Sequence, residues 1–324
     1  MLKTIVTQEW GLRYPIIGAP MANIARGRMA RAVTDAGGLG FIGVGPRDTA
    51  EFIERESAIA RGDGAPGKFG IGLMVWVLET RPELFDAAIA QKPFLLSISF
   101  GSVKKYVDRA RQAGVLVATQ VNTRRQIVDA AAEGADIIVA QGNDAGGHSG
   151  FVGTMPALQI ALEATRKPVF AAGGIATPAG VAAALAAGAE AAWIGTAFLL
   201  SPESDGTDAA KDRIAAAAET DTILTTVFDR ASQLAWPPHH PGRALRNQFS
   251  DQWHGHEDEL ASNPEELARF RQGAKDRNYD ITSIYAGQAV GLMSERRAAA
   301  DVVRWLGEGA EEVLRRRMHA LMPS

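Results

Sequence analysis

Up to about residue 200 the chain alternates short, almost uninterrupted apolar runs with longer stretches whose apolar positions recur every three or four residues. The runs lie at 15–20, 39–44, 69–76, 94–100, 115–121, 136–141, 168–173 and 192–199. Continuous apolar runs, rather than strict alternation, are what strands need when a parallel sheet is covered on both faces. Helix-period stretches at 28–36, 50–60, 82–90, 103–112, 124–132, 155–164 and 178–186 fall between them. Several end in Ala-Gly or Glu-Gly, as at Ala36-Gly37, Glu133-Gly134 and Ala187-Gly188, where glycine suits a left-handed helix cap. Eight strands joined by crossover helices predict an α/β fold, a (β/α)8 TIM barrel; an open doubly wound sheet is the alternative.

Beyond Leu200 the texture changes. A polar, turn-rich SPESDGTD leads into a helix-like 209–218, a loop-like WPPHHPGRALRNQF and a charged helix around 257–272. An apolar, glycine-rich stretch at 281–293 and an amphipathic helix at 296–318 close the chain. The expected organisation is a barrel from 1–208 and 279–324, with 209–278 as a smaller helical lobe inserted after strand eight, over the barrel mouth. The stretch 179–200 is long and weakly charged, but it is mostly Ala and Gly and carries Glu190. It reads as buried barrel rather than a membrane span, which needs about 20 strongly apolar residues.

Composition narrows the chemistry. With 46% hydrophobic and 22% charged residues the chain is globular, and 34 basic against 37 acidic residues leaves no basic surplus for nucleic acid. The N-terminus lacks the apolar core of a signal peptide, so a soluble, cytoplasmic protein is expected. There is no cysteine, which removes disulfides, thiolate-bound metals and a catalytic thiol.

In a barrel the reactive groups sit where strands end at the C-terminal face. Those positions hold Ala19-Pro20-Met21-Ala22, Gln120-Val121-Asn122, the run from Gln141 to Gly150, Ala172-Gly173-Gly174-Ile175 and Ile194-Gly195-Thr196. Glycines after the last two strands let backbone N–H groups approach an anion, so Gly173, Gly174, Gly195 and Thr196 are candidates for a phosphate site. Glycines around His148 expose backbone beside an imidazole able to serve as base or anion partner.

Two other patterns are weaker. Gly38-Leu39-Gly40-Phe41-Ile42-Gly43 fits G-x-G-x-x-G, with Asp63 twenty residues on, but it follows a helix and lies within a strand, the reverse of the dinucleotide fingerprint. His239, His240, His254 and His256 gather four of the six histidines without i,i+4 spacing. Packing is the better reading there, and no metal is expected.

Taken together, Gly18-Ala19-Pro20-Met21-Ala22, Gln141 leading into Asp144-Ala145-Gly146-Gly147-His148, Ala172-Gly173-Gly174-Ile175, Gly195-Thr196, Ala244-Leu245-Arg246-Asn247 and Tyr285-Ala286-Gly287-Gln288 span nearly the whole chain. In that order they resemble the nitronate monooxygenases, formerly called 2-nitropropane dioxygenases. The resemblance implies FMN as cofactor. Met21, Ala22 and Gln141 would line the isoalloxazine, with Gln120 also among the cofactor-binding residues. Gly146 and Gly147 would meet the flavin through backbone, and Gly173, Gly174, Gly195 and Thr196 would hold its phosphate.

His148 falls on the family's catalytic histidine. It would orient a nitronate, or abstract the α-proton of a nitroalkane, while O2 completes conversion to a carbonyl compound and nitrite. A homodimer is compatible with the sequence. Two departures stand out: Gly72 where many members have Asn, and Asp144 where Glu is frequent. An NAD(P)H-dependent FMN reductase of quinones or enoyl thioesters is the closest alternative, and a non-catalytic flavin or phosphate binder a distant one. The inosine-monophosphate dehydrogenase type of barrel needs a cysteine and is excluded.

Overall fold

A computed structural model describes residues 2–62 and 68–322; Asp63 lies outside the described residues. The described residues include eight parallel strands: β1 (Ile16–Gly18), β2 (Phe41–Gly43), β3 (Gly70–Met74), β4 (Leu95–Ser99), β5 (Leu116–Val121), β6 (Ile137–Gln141), β8 (Val169–Ala172) and β9 (Ala191–Ile194). They pair in the order β1-β9-β8-β6-β5-β4-β3-β2, and a parallel bridge between Ile17 and Leu39 brings the two ends together. The result is a nearly closed barrel, the arrangement expected of a TIM barrel.

Each barrel strand is buried through nearly its whole length, which is why the apolar runs show no alternation. Side chains on one face fill the lumen, where Ile17, Phe41, Leu95, Val139, Phe170 and Trp193 form a single cluster. Trp10 of the N-terminal segment packs edge-on against Phe94 and Phe170 in that cluster, with ring centroids 5.1 and 5.7 Å apart. The opposite faces pack under the outer helices. Helix starts are set locally: Thr49, Thr123 and Thr177 each accept a first-turn N–H, and Pro178 opens its helix where no N–H is needed.

Every barrel strand is shorter than its apolar run, and two of the runs continue into a different element. After Met74 the chain turns into the helix Val75–Leu78, and after Ile194 it enters a 3-10 turn at Thr196–Phe198. Hydrophobicity continues past the strand ends because these turns are buried too. The stretch 179–200 divides into the helix Pro178–Ala186 and β9, and no helix among the described residues is long and apolar enough to cross a membrane. The closing helix, Ala299–Leu321, lies against Pro178–Ala186 and Gly27–Asp35. Gly307 lets it sit on Tyr14, whose hydroxyl donates to Glu308 at 2.6 Å.

The segment after the barrel is less helical than expected. It contains helices Asp208–Ala216, Val227–Ser232, Gln248–Trp253, Glu257–Ala261 and Pro264–Lys275, but also β10 (Thr222–Thr225) and β11 (Gly242–Leu245). The strand β11 lies inside the stretch that reads as loop. Its partners are antiparallel β10 on one side and β7 (Gly147–His148) on the other, in the order β10-β11-β7. The charged helix also divides, at Ser262-Asn263, because Asn263 caps a new helix that begins with Pro264.

Candidate active site

Strand direction puts Met21, Gln120, Gln141, Gly173, Gly174, Gly195 and Thr196 at the C-terminal end of the barrel, opposite Trp10. Glycines allow close backbone approach around β2. A Cβ on Gly43 would lie 2.3 Å from the Met21 carbonyl carbon, and one on Gly40 2.0 Å from the Ala30 oxygen. The glycines of the G-x-G-x-x-G match therefore serve close packing around β2, which holds Gly43 while Gly38 and Gly40 precede it. Gln120 donates from Nε2 to Gln141 Oε1 at 3.1 Å, joining the ends of β5 and β6.

The segment after β6 is braced at several points. Asn122 donates to the carbonyls of Gln141 and Val152 at 2.7 and 2.8 Å and accepts from the Val152 N–H at 2.9 Å. Asp144 accepts the Thr154 N–H at 2.7 Å, at the start of helix Thr154–Ala164. Arg243 of β11 donates to the Asn143 carbonyl at 2.6 Å, and the Gln288 N–H to the Asp144 carbonyl at 2.9 Å. Gly146 and Gly287 meet backbone to backbone: a Cβ on Gly146 would fall 2.6 Å from the Gly287 nitrogen. Gly147, with φ +75°, has open space where a Cβ would stand.

These braces deliver His148 into the short sheet, with its backbone opposite Gly242. The imidazole is buried, and its Nε2 lies 2.9 Å from Oδ1 of Asp229, whose side chain is also buried. The Tyr285 hydroxyl donates to the same oxygen at 3.4 Å. Burial, and then the Asp229 charge, push the Tyr285 phenol well above its ordinary range, so it remains a neutral donor. Trp236 stacks on His148 with centroids 3.4 Å apart and planes 7° from parallel. The same indole touches Trp76 and Phe100, so an aromatic group covers one face of the histidine.

Nothing in the sequence assigns Asp229, Trp236 or Tyr285 these roles. Asp229 is 81 residues from His148 and lies in an unremarkable short helix. Tyr285 had one signal, its place in the Tyr-Ala-Gly-Gln run. Of the four clustered histidines, His239 is exposed while His240 is buried beside Phe100; His254 and His256 reach Thr225 and Glu259. Among the described residues no group of three His, Asp or Glu is arranged to hold a metal.

The glycines after β8 and β9 form a cradle that admits no side chain on one wall. Gly173 and Gly174 have φ of +105° and +66°, and a Cβ on Gly173 would lie 2.6 Å from Thr154 Oγ1. Thr196 accepts the Gly287 N–H at 3.0 Å, tying this cradle to the segment above it. Beside it, a Cβ on Gly195 would stand 3.6 Å from Met21 Sδ. Small residues with exposed backbone next to a thioether and a pair of amides suit a phosphate joined to a flat ring system, and the chain's own residues fit FMN on that ground.

The family model for nitronate monooxygenase matches residues 82–309. The chain belongs to the nitronate monooxygenase family. It is accordingly an oxidoreductase. It is 31% identical to a nitronate monooxygenase of Neurospora crassa over 93% of this chain and 90% of that one. Among solved structures, FabK from Thermotoga maritima superposes with a TM-score of 0.85 at 27% identity, over 99% of this chain and all of that one. A nitroalkane oxidase from Streptomyces ansochromogenes gives 0.79 at 28% identity, covering 95% and 98% of the two chains.

Both departures from the nitronate monooxygenase pattern have local causes. A Cβ on Gly72 would lie 2.2 Å from the Pro20 Cβ, so the loop after β1 occupies the space an asparagine would need. The shorter Asp144 already reaches the N–H it caps, and its charge lies near the buried Arg243.

Proposed function

We propose that this family member oxidises alkyl nitronates, and nitroalkanes, to carbonyl compounds and nitrite with O2 as acceptor and FMN as cofactor. The observation that carries the reading is His148: buried at the mouth, oriented by Asp229, and adjoining the open backbone at Gly147. Met21, Ala22, Gln120, Gln141, Gly146 and Gly147 would hold the flavin ring, and Gly173, Gly174, Gly195 and Thr196 its phosphate. Bound there, FMN supplies the electron acceptance that no protein side chain offers.

His148 orients the nitronate anion, or receives the α-proton of a neutral substrate. Trp236, stacked on the imidazole, restricts water at that face. Residues 209–278 act as a lobe over the mouth of a barrel built from 1–208 and 279–324, and a strand from that lobe supports His148.

The likeness to FabK favours a second reading, NAD(P)H-dependent reduction of a quinone or enoyl thioester on the same scaffold. Anaerobic mixing of the purified protein with propionate 3-nitronate, and separately with NADH and NADPH, separates the two by visible flavin absorbance. Rapid bleaching by the nitronate and none by the nucleotides is expected. Bleaching by a nucleotide alone would make the protein a reductase.

A further inference from the structure

We propose that Asp229 is a positioning residue: it holds His148 as the Nε2–H tautomer, leaves Nδ1 as a base, and so equips the enzyme to deprotonate neutral nitroalkanes. The inference rests on His148 acting on substrate, as proposed above. Asp229 is 4% exposed and His148 8%, and among the described residues His148 is the ion-pair partner of Asp229. A buried carboxylate without hydrogen-bond donors is costly. Here Oδ1 faces the imidazole Nε2 at 2.9 Å and the Tyr285 hydroxyl at 3.4 Å.

An ionised carboxylate only accepts hydrogen bonds, so the nitrogen facing it must carry the proton and the other nitrogen keeps its lone pair. Tyr285 cannot substitute as a charge partner, because its phenol stays neutral. The ring cannot readily turn Nε2 away from the carboxylate. Trp236 lies flat on one face, and the β7–β11 pairing fixes the backbone beneath.

The step this permits is a proton transfer. The substrate's Cα–H bond breaks, its electron pair becomes the carbon–nitrogen double bond of the nitronate, and the proton goes to His148 Nδ1. The imidazolium so formed is paired with the carboxylate already in place, the arrangement by which a buried aspartate supports a histidine base. No oxidation occurs in this step, and the product is the nitronate that the proposed reaction consumes. A nitronate supplied ready-made needs no such base, so the two substrates report on different demands.

The test compares nitroethane with ethyl nitronate, which share a carbon skeleton, in the flavin-loaded wild type, Asp229→Asn and His148→Gln. Asp229→Asn should lower the nitroethane-to-nitronate ratio of kcat at least tenfold, toward the about 10²–10⁴ that a positioned base contributes. Equal losses on both substrates, or none, would reduce Asp229 to a packing role and overturn the inference. Full nitroethane turnover in His148→Gln would instead overturn the reading beneath it. Nitrogen-15 spectra of the wild type supply a readout independent of any variant's folding: Nε2 protonated and Nδ1 bare is expected, and the reverse tautomer sinks the inference.

Discussion

The buried His240 makes the fold sensitive to acid. Its side chain packs edge-on against Phe100, with centroids 5.3 Å apart, and the exposed His239 lies 4.3 Å away. Burial, then the nearby His239 and His148, lower its pKa from 6.5 to about 4, opposed only by a backbone hydrogen bond at Ser149. Its Nδ1 is buried without a hydrogen-bond partner among the described residues. A histidine whose pKa is depressed on folding is charged in the unfolded chain but neutral in the folded one between pH 6.5 and 4. Its contribution to stability is therefore complete above the unfolded pKa, declines as pH falls, and is lost below the folded one.

At 1.36 kcal/mol per pKa unit the full effect is about 3 kcal/mol, of which about 2 kcal/mol is gone by pH 5. His240→Phe keeps the aromatic contact with Phe100 and removes the titration. Urea unfolding at pH 7.5 and pH 5 should show the wild type losing about 2 kcal/mol more than the variant. Taking the difference of differences cancels the other titrating groups. Losses equal within about 0.5 kcal/mol would refute the reasoning, because burial of His240 would then exert no linkage.

Three further perturbations test the scaffold. Gly146→Ala puts a Cβ 2.6 Å from the Gly287 nitrogen, against backbone that cannot step aside, so a lower Tm and poorer flavin retention are expected; an unchanged melting curve would mean that the two segments are not in contact. Asp144→Ala removes the carboxylate that accepts the Thr154 N–H at 2.7 Å and should cost about 1 kcal/mol in urea unfolding. Asp144→Asn, which keeps an acceptor, should recover most of that loss, and a failure to do so would assign the effect to charge near Arg243. Trp236→Ala uncovers one face of His148, so diethylpyrocarbonate should modify that histidine faster, as read by peptide mass spectrometry. Equal rates would show that the indole does not shield it.

The parts of the molecule legible in sequence are those whose cause is local. A barrel strand buried on both faces is apolar at successive positions, so β6, β8 and β9 announce themselves without partners. A threonine at a helix start or a glycine pair after a strand likewise acts on its own neighbours. The strand β11 carries no such mark. Its sequence, Gly-Arg-Ala-Leu, has neither an apolar run nor an alternating pattern, and it is a strand because β10 and β7 lie on either side. Its Gly242 is required by something still further away: a Cβ there would lie 2.8 Å from the Tyr285 ring and 3.2 Å from His148 Nε2.

The same distinction divides the candidate site. Its cradle is written in glycines, which are recognisable because omission of a side chain is visible in one residue. The environment of His148 is written in contacts. Asp229 looks like any acid in a short helix until the fold brings it against an imidazole from a segment 81 residues earlier. Trp236 sits in a proline-rich stretch that reads as loop, yet its ring is sandwiched among groups from three other parts of the chain. The short antiparallel sheet is the element that makes these contacts coincide. By recruiting β7 from the barrel's own loop, it couples the position of the histidine to the folding of the segment above it. Disturbing the β10–β11 pairing should consequently displace His148.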